Sequence, residues 1–137
     1  MGQAERSTPA VLIAQMTDIH VGFAPDEKPE ELNLTRFRAT YRRLMEGPNR
    51  PDLLVLSGDI TDHGDAESFA KAAALVSDCP CPVVPLVGNH DSREGLLGAF
   101  TQVVPADGGF LHYVIEARLG LRIICLATFE DGRHGGA

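Results

Sequence analysis

The chain has 137 residues, 44% of them apolar and 23% charged, which fits a folded globular domain and excludes a fibrous repeat or a disordered chain. Twelve Lys and Arg against nineteen Asp and Glu leave a net charge of −7 with His neutral, so neither a nucleic-acid polymer nor a membrane surface is an expected partner. No apolar run nears the roughly 20 residues of a membrane span, and the polar residues 1–9 hold no apolar leader core, so a cytoplasmic location is expected.

In chain order, the branched apolar run over residues 11–16 is too short for a helix and predicts a buried strand. A polar, proline-bearing loop over 21–31 follows. Asn33 is the expected cap of a helix whose Leu34, Phe37, Tyr41, Leu44 and Met45 fall on one stripe, and Gly47-Pro48 stops it. The arginines Arg36, Arg38, Arg42 and Arg43 alternate with that stripe and predict its solvated face. Residues 52–56 form a second buried strand. Asp65 then caps a helix over 66–77, with Phe69, Ala72, Ala73 and Val76 on one face. The third strand, over 83–87, carries Pro85, which predicts a bulge or a sheet edge. A short helix over 94–100 and an antiparallel hairpin made of 110–117 and 121–128 complete the chain. Strand and helix alternating in this way predict an α/β fold, a βαβαβ unit with a largely parallel sheet, followed by a β-hairpin. The three cysteines include Cys79-Pro80-Cys81, which lacks the two-residue gap of redox or zinc pairs, and all three are expected to be reduced.

Each of the first three strands breaks into a polar cluster at its C-terminal end: Asp18-Ile19-His20, Gly58-Asp59, and Gly88-Asn89-His90-Asp91. Ligands of open α/β sheets bind at that edge, so the three clusters predict one site. Carboxylates, an imidazole and a carboxamide, with no thiolate among them, suit a hard or borderline divalent cation. In an extended backbone Asp18 and His20 would point to the same side, as a chelating pair needs. Asp59 has two oxygens with which to bridge two ions. A single Asp after a strand is most simply a turn or helix cap. Three of them at three strand ends, with His20, Asn89 and His90, favour the metal site.

Together the ordered blocks resemble the calcineurin-like metallophosphoesterases. The Met16–His20 stretch, the 56–64 segment and the 121–126 strand are most similar to the bacterial branch of cyclic-nucleotide phosphodiesterases and glycerophosphodiesterases. This resemblance implies the N-terminal half of a four-layer αββα sandwich. It also implies two divalent ions, Mn, Fe, Zn or Co, with Asp18 and His20 on the first, Asp59 bridging, and Asn89 on the second through its amide oxygen. His90 would hydrogen-bond a phosphate oxygen or assist the leaving group, and Asp91 would orient the His90 ring. The implied reaction is phosphoester hydrolysis by attack of a metal-bound hydroxide, on small phosphodiesters of the 3′,5′-cyclic nucleotide or glycerophosphodiester type.

Further histidine blocks, Gly-His and Gly-His-x-His, belong to the family pattern, and nothing after Asp91 matches them. Of the later histidines, His112 falls in a predicted strand and His134 in a loop. Residues 1–137 are therefore expected to be one catalytic domain truncated at its C-terminus, and to associate as a homo-oligomer through the sheet face left without its partner. The competing expectation is a catalytically incomplete remnant that binds metal weakly or serves as an interaction module. A P-loop, a dinucleotide-binding Gly-x-Gly-x-x-Gly and a Gly-x-Ser-x-Gly elbow are all missing from the chain, which disfavours those three chemistries.

Overall fold

The computed structural model describes residues 10–23, 32–104, 112–116 and 120–127. Among these the chain runs β1 (Ile13–Met16), α1 (Leu32–Glu46), β2 (Leu53–Ser57), α2 (Ala66–Leu75), β3 (Val83–Leu86), α3 (Arg93–Ala99), β4 (Tyr113–Glu116) and β5 (Arg122–Cys125). The first three strands form a parallel sheet with β2 in the middle, and β4 and β5 pair as an antiparallel ribbon. This is the βαβαβ-plus-hairpin architecture expected from the alternating pattern.

Burial follows sheet position. Leu53, Leu54 and Leu56 of the central β2 are inaccessible to solvent, which is why that strand reads as an unbroken apolar run. β1 departs from the expected buried strand. As an edge strand of this sheet it leaves Ile13 44% exposed, with the preceding Leu12 at 47%. The third strand tolerates Pro85 because β3 lies at the other edge, where a missing N–H breaks no second ladder. The Pro85 carbonyl is used instead by the Tyr113 hydroxyl, which ties the hairpin to β3.

α1 buries Phe37 and Tyr41 and keeps Arg36, Arg38, Arg42 and Arg43 exposed, as its stripe predicts. Asn33 is not its cap. The helix starts at Leu32, and the Asn33 side chain donates to the His20 carbonyl at 3.3 Å, tying the first turn of α1 to the loop after β1. Asp65 does cap α2, its carboxylate accepting from the Ser68 N–H at 3.0 Å and the Ser68 hydroxyl at 2.9 Å. α2 ends at Leu75, short of the expected Ser77. Ser92 caps α3 by accepting from the Gly95 N–H at 3.1 Å. Phe69 of α2 and Leu96 of α3 are fully buried in the shared core.

The hairpin alternates by strand period. Tyr113 and Cys125 are buried while Val114, Ile124 and Leu126 are more than half exposed. Arg122 and Glu116, register partners, form an ion pair at 2.9 Å. His112 accepts a hydrogen bond from the Ala127 N–H at 2.9 Å. The cysteines carry no disulfide; the Cys79 and Cys81 sulfurs lie 3.5 Å apart, and burial with the neighbouring thiol pushes Cys81 up to about 12. No helix among the described residues is long and apolar enough to cross a membrane. His134 lies outside the described residues.

Candidate metal centre

Beyond their strands, the loops after β1 and β2 continue side by side. Asp18 donates its N–H to the Gly58 carbonyl (3.1 Å), His20 to Asp59 (2.9 Å), Val21 to Ile60 (2.9 Å), and Asp62 back to Val21 (2.9 Å). The parallel register is unchanged along the way, since Ile13 faces Leu53 within the sheet and Val21 faces Thr61 beyond it. This ladder carries the polar clusters out of the sheet as a continuous ribbon.

Within that ribbon three non-glycine residues have left-handed backbone: Asp18 (φ 55°), His20 (φ 52°) and Asp59 (φ 47°). Such a conformation costs of order 1–3 kcal/mol for a residue with a Cβ and concentrates at functional sites. β1 has already ended at Met16, so Asp18 and His20 are brought together by this left-handed turn and not by the pleat of an extended strand. Gly88 completes the approach from the third loop. A Cβ there would lie 2.4 Å from both the backbone nitrogen and the Oδ1 of Asp59, so only glycine lets the β3 loop reach the carboxylate.

The geometry that results is a ring of donors around His20. Its Nε2 stands 3.9 Å from Asp18 Oδ1 and 3.8 Å from Asp59 Oδ2. These three donor atoms lie within 4.8 Å of one another, and two carboxylates with one imidazole nitrogen fit a divalent cation of the hard or borderline class. Asn89 lies against the same carboxylate, its amide nitrogen turned to donate to Asp59 Oδ1 and Oδ2 at 3.1 and 3.2 Å. A cation would take the oxygen of that carboxamide, which a half-turn of the amide group presents. The His90 N–H also donates to Asp59 Oδ1, at 3.0 Å.

The His90 ring sits edge-on to the His20 ring, with centroids 4.8 Å apart. Its Nδ1 is 2.9 Å from the backbone carbonyl of Asp62, and because a carbonyl only accepts, Nδ1 carries the proton and Nε2 has no hydrogen-bond partner among the described residues. That hydrogen bond, aided by the charges of Asp59, Asp62 and Asp91, holds the His90 pKa above the usual histidine value. Asp91 does not take the expected place beside the His90 ring. Its carboxylate, only 5% exposed, accepts from the N–H groups of Ile60 (3.1 Å), Thr61 (2.8 Å) and Gly88 (2.9 Å) and from the Thr61 hydroxyl (2.8 Å). Burial outweighs those four bonds and raises its pKa. Asp91 thus stitches the second loop to the third from beneath the site.

The carboxylate that does face the imidazoles is Asp62, which the strand-end pattern did not single out. Its Oδ1 is 3.1 Å from His20 Nδ1, and its Oδ2 is 3.3 Å from Nε2 of the exposed His63. The one sequence signal was its place in the same Gly58–Gly64 turn as Asp59.

Residues 11–130 match the family described as calcineurin-like phosphoesterase. The chain belongs to that family. Among curated relatives, a probable cyclic nucleotide phosphodiesterase of Synechococcus sp. is 31% identical over 90% of this chain and 46% of its own length. A probable cyclic nucleotide phosphodiesterase of Rhodococcus erythropolis is 30% identical over 97% of this chain and 45% of its own. A probable glycerophosphodiester phosphodiesterase of Arcobacter nitrofigilis is 29% identical over 92% and 46%. This calcineurin-like chain spans just under half the length of these relatives.

Proposed function

We propose that the chain carries a metal-dependent phosphodiesterase site that hydrolyses small phosphodiesters of the 3′,5′-cyclic nucleotide or glycerophosphodiester type. The observation that carries this reading is the convergence of Asp18, His20 and Asp59 within 4.8 Å, all three on left-handed backbone. The names borne by its relatives support the substrate class.

Asp18, His20 and Asp59 would hold one cation, and Asp59 with the Asn89 amide oxygen would contribute to a second. Divalent cations, when bound, supply the positive charge that draws a phosphate to an acidic protein and polarises its phosphoryl oxygens. The chain's own groups do the rest. His90, 45% exposed with Nδ1 fixed by the Asp62 carbonyl, keeps Nε2 for a ligand and in its charged form would donate a hydrogen bond to a phosphate oxygen. Asp91 keeps the second and third loops in register beneath it.

The test is hydrolysis of bis(p-nitrophenyl) phosphate by the Mn(II)-loaded 137-residue chain. Activity should fall to background on chelation, and Asp59→Ala should lower it to the same level. Turnover indifferent to both treatments overturns the reading.

A further inference from the structure

The described residues contain two donor groups that share His20: Asp18–His20–Asp59 and His20–Asp62–His90. They are not equivalent. In the first, the His20 Nε2 distances of 3.8 and 3.9 Å are too long for hydrogen bonds, so the imidazole nitrogen is bonded to neither carboxylate, whose partners are the Thr17 hydroxyl for Asp18 and the Asn89 amide and His90 N–H for Asp59. In the second, both imidazoles already have partners on Asp62: the carboxylate for His20 Nδ1 at 3.1 Å, the backbone carbonyl for His90 Nδ1 at 2.9 Å. One group is open to a ligand and the other is closed on itself.

We infer that Asp62 is a positioning residue, whose carboxylate fixes His20 in the Nδ1–H tautomer so that the lone pair of Nε2 faces Asp18 and Asp59. A carboxylate accepts only, so the proton of a neutral His20 belongs on Nδ1 and the bare nitrogen on the far side of the ring. The ring cannot easily turn away. The backbone that carries it is held by His20 N–H to Asp59, by Val21 N–H to Ile60 and by Asp62 N–H to Val21, and the Asn33 side chain donates to the His20 carbonyl. The Asp62 side chain is itself only 16% exposed, with its second oxygen on His63, so it has little freedom to leave. Carboxylates in this relation to a metal-binding histidine orient the ring and make the other nitrogen a better donor.

The inference rests on the metal reading above only for its purpose; the tautomer itself is measurable without any cation. The experiment is long-range proton–nitrogen correlation NMR of histidine-labelled, metal-free protein at about pH 8, where an ordinary histidine is neutral. Mn(II) affinity is titrated in parallel. Wild-type His20 should show the Nδ1–H form. Asp62→Ala should move it to the Nε2–H form that free imidazole favours and weaken Mn(II) binding roughly ten- to a hundredfold. Asp62→Asn, whose carbonyl oxygen still accepts, should keep the Nδ1–H form and most of the affinity. An Nε2–H tautomer in the wild type, or an Nδ1–H tautomer that survives Asp62→Ala, overturns the inference. Should Asp62→Ala fail to fold, the wild-type and Asp62→Asn spectra decide. A wild-type chain with the Nδ1–H tautomer but no Mn(II) binding sustains the role of Asp62 and overturns the metal reading instead.

Discussion

Asp91 and Asp62 divide the work that a single supporting carboxylate was expected to do. Asp91 is the buried staple: removing its side chain strands the N–H groups of Ile60, Thr61 and Gly88, the first two of which belong to fully buried residues. Asp91→Ala should therefore destabilise the fold by about 3 kcal/mol or more, read as a shift of the urea unfolding midpoint. A loss under about 1 kcal/mol would show that those donors find other partners. Asp62 is the clamp beside the imidazoles, and the two roles were hard to separate from residue order alone. In Asn89-His90-Asp91 the neighbouring Asp is adjacent to the histidine in sequence, yet its carboxylate points under the loop. In Asp59-Ile60-Thr61-Asp62 the second carboxylate looks like an ordinary turn residue until the left-handed step at Asp59 aims it at His20. Left-handed φ values at non-glycine residues have no reliable signature in a sequence, so motif positions were legible and the partner of each imidazole was not.

α2 and α3 meet at a point where a helix interior needs glycine for packing. A Cβ on Gly95 would lie 2.5 Å from the ring of Phe69, which is fully buried and has nowhere to retreat. Gly95→Ala gains helix propensity and loses more to overpacking, with an expected net cost of about 1–3 kcal/mol in thermal or urea unfolding. A stabilised Gly95→Ala would mean that α3 can shift away from α2. The elements that were legible are those with strong local signals: the apolar run of β2, the Asp65 cap of α2, the punctuating prolines and glycines around β3. Misread features lie where neighbours decide. β1 reads as a short apolar run much as β2 does, but its place at the sheet edge leaves Ile13 44% exposed. Asn33 has the chemistry of a cap, but α1 begins at Leu32, two residues before the helix start that a cap at Asn33 implies, and the Asn33 side chain donates to the His20 carbonyl instead.

At the scale of the molecule, a net charge of −7 meets a local excess of carboxylates, since Asp18, Asp59 and Asp62 all lie within 3.9 Å of the His20 ring nitrogens. A bound divalent cation would relieve that repulsion in the folded chain and would find no such cluster in the unfolded one. Mn(II) at about a hundred times its dissociation constant should thus add about 2.7 kcal/mol of stability, a rise of several degrees in Tm. Chelation should reverse the gain, and Asp59→Ala should lose it; equal melting with and without the ion would remove the cation from the account. The ladder between the first two loops has a consequence in time as well as in energy. The amide protons of Asp18, His20, Val21 and Asp62 are held in rungs that continue the β1–β2 pairing, so they exchange with solvent only when that end of the sheet opens. A donor set built on such rungs would be in place before a cation arrived. The capture rate would then be set by diffusion and by how fast the ion sheds water, not by the folding of a loop around it.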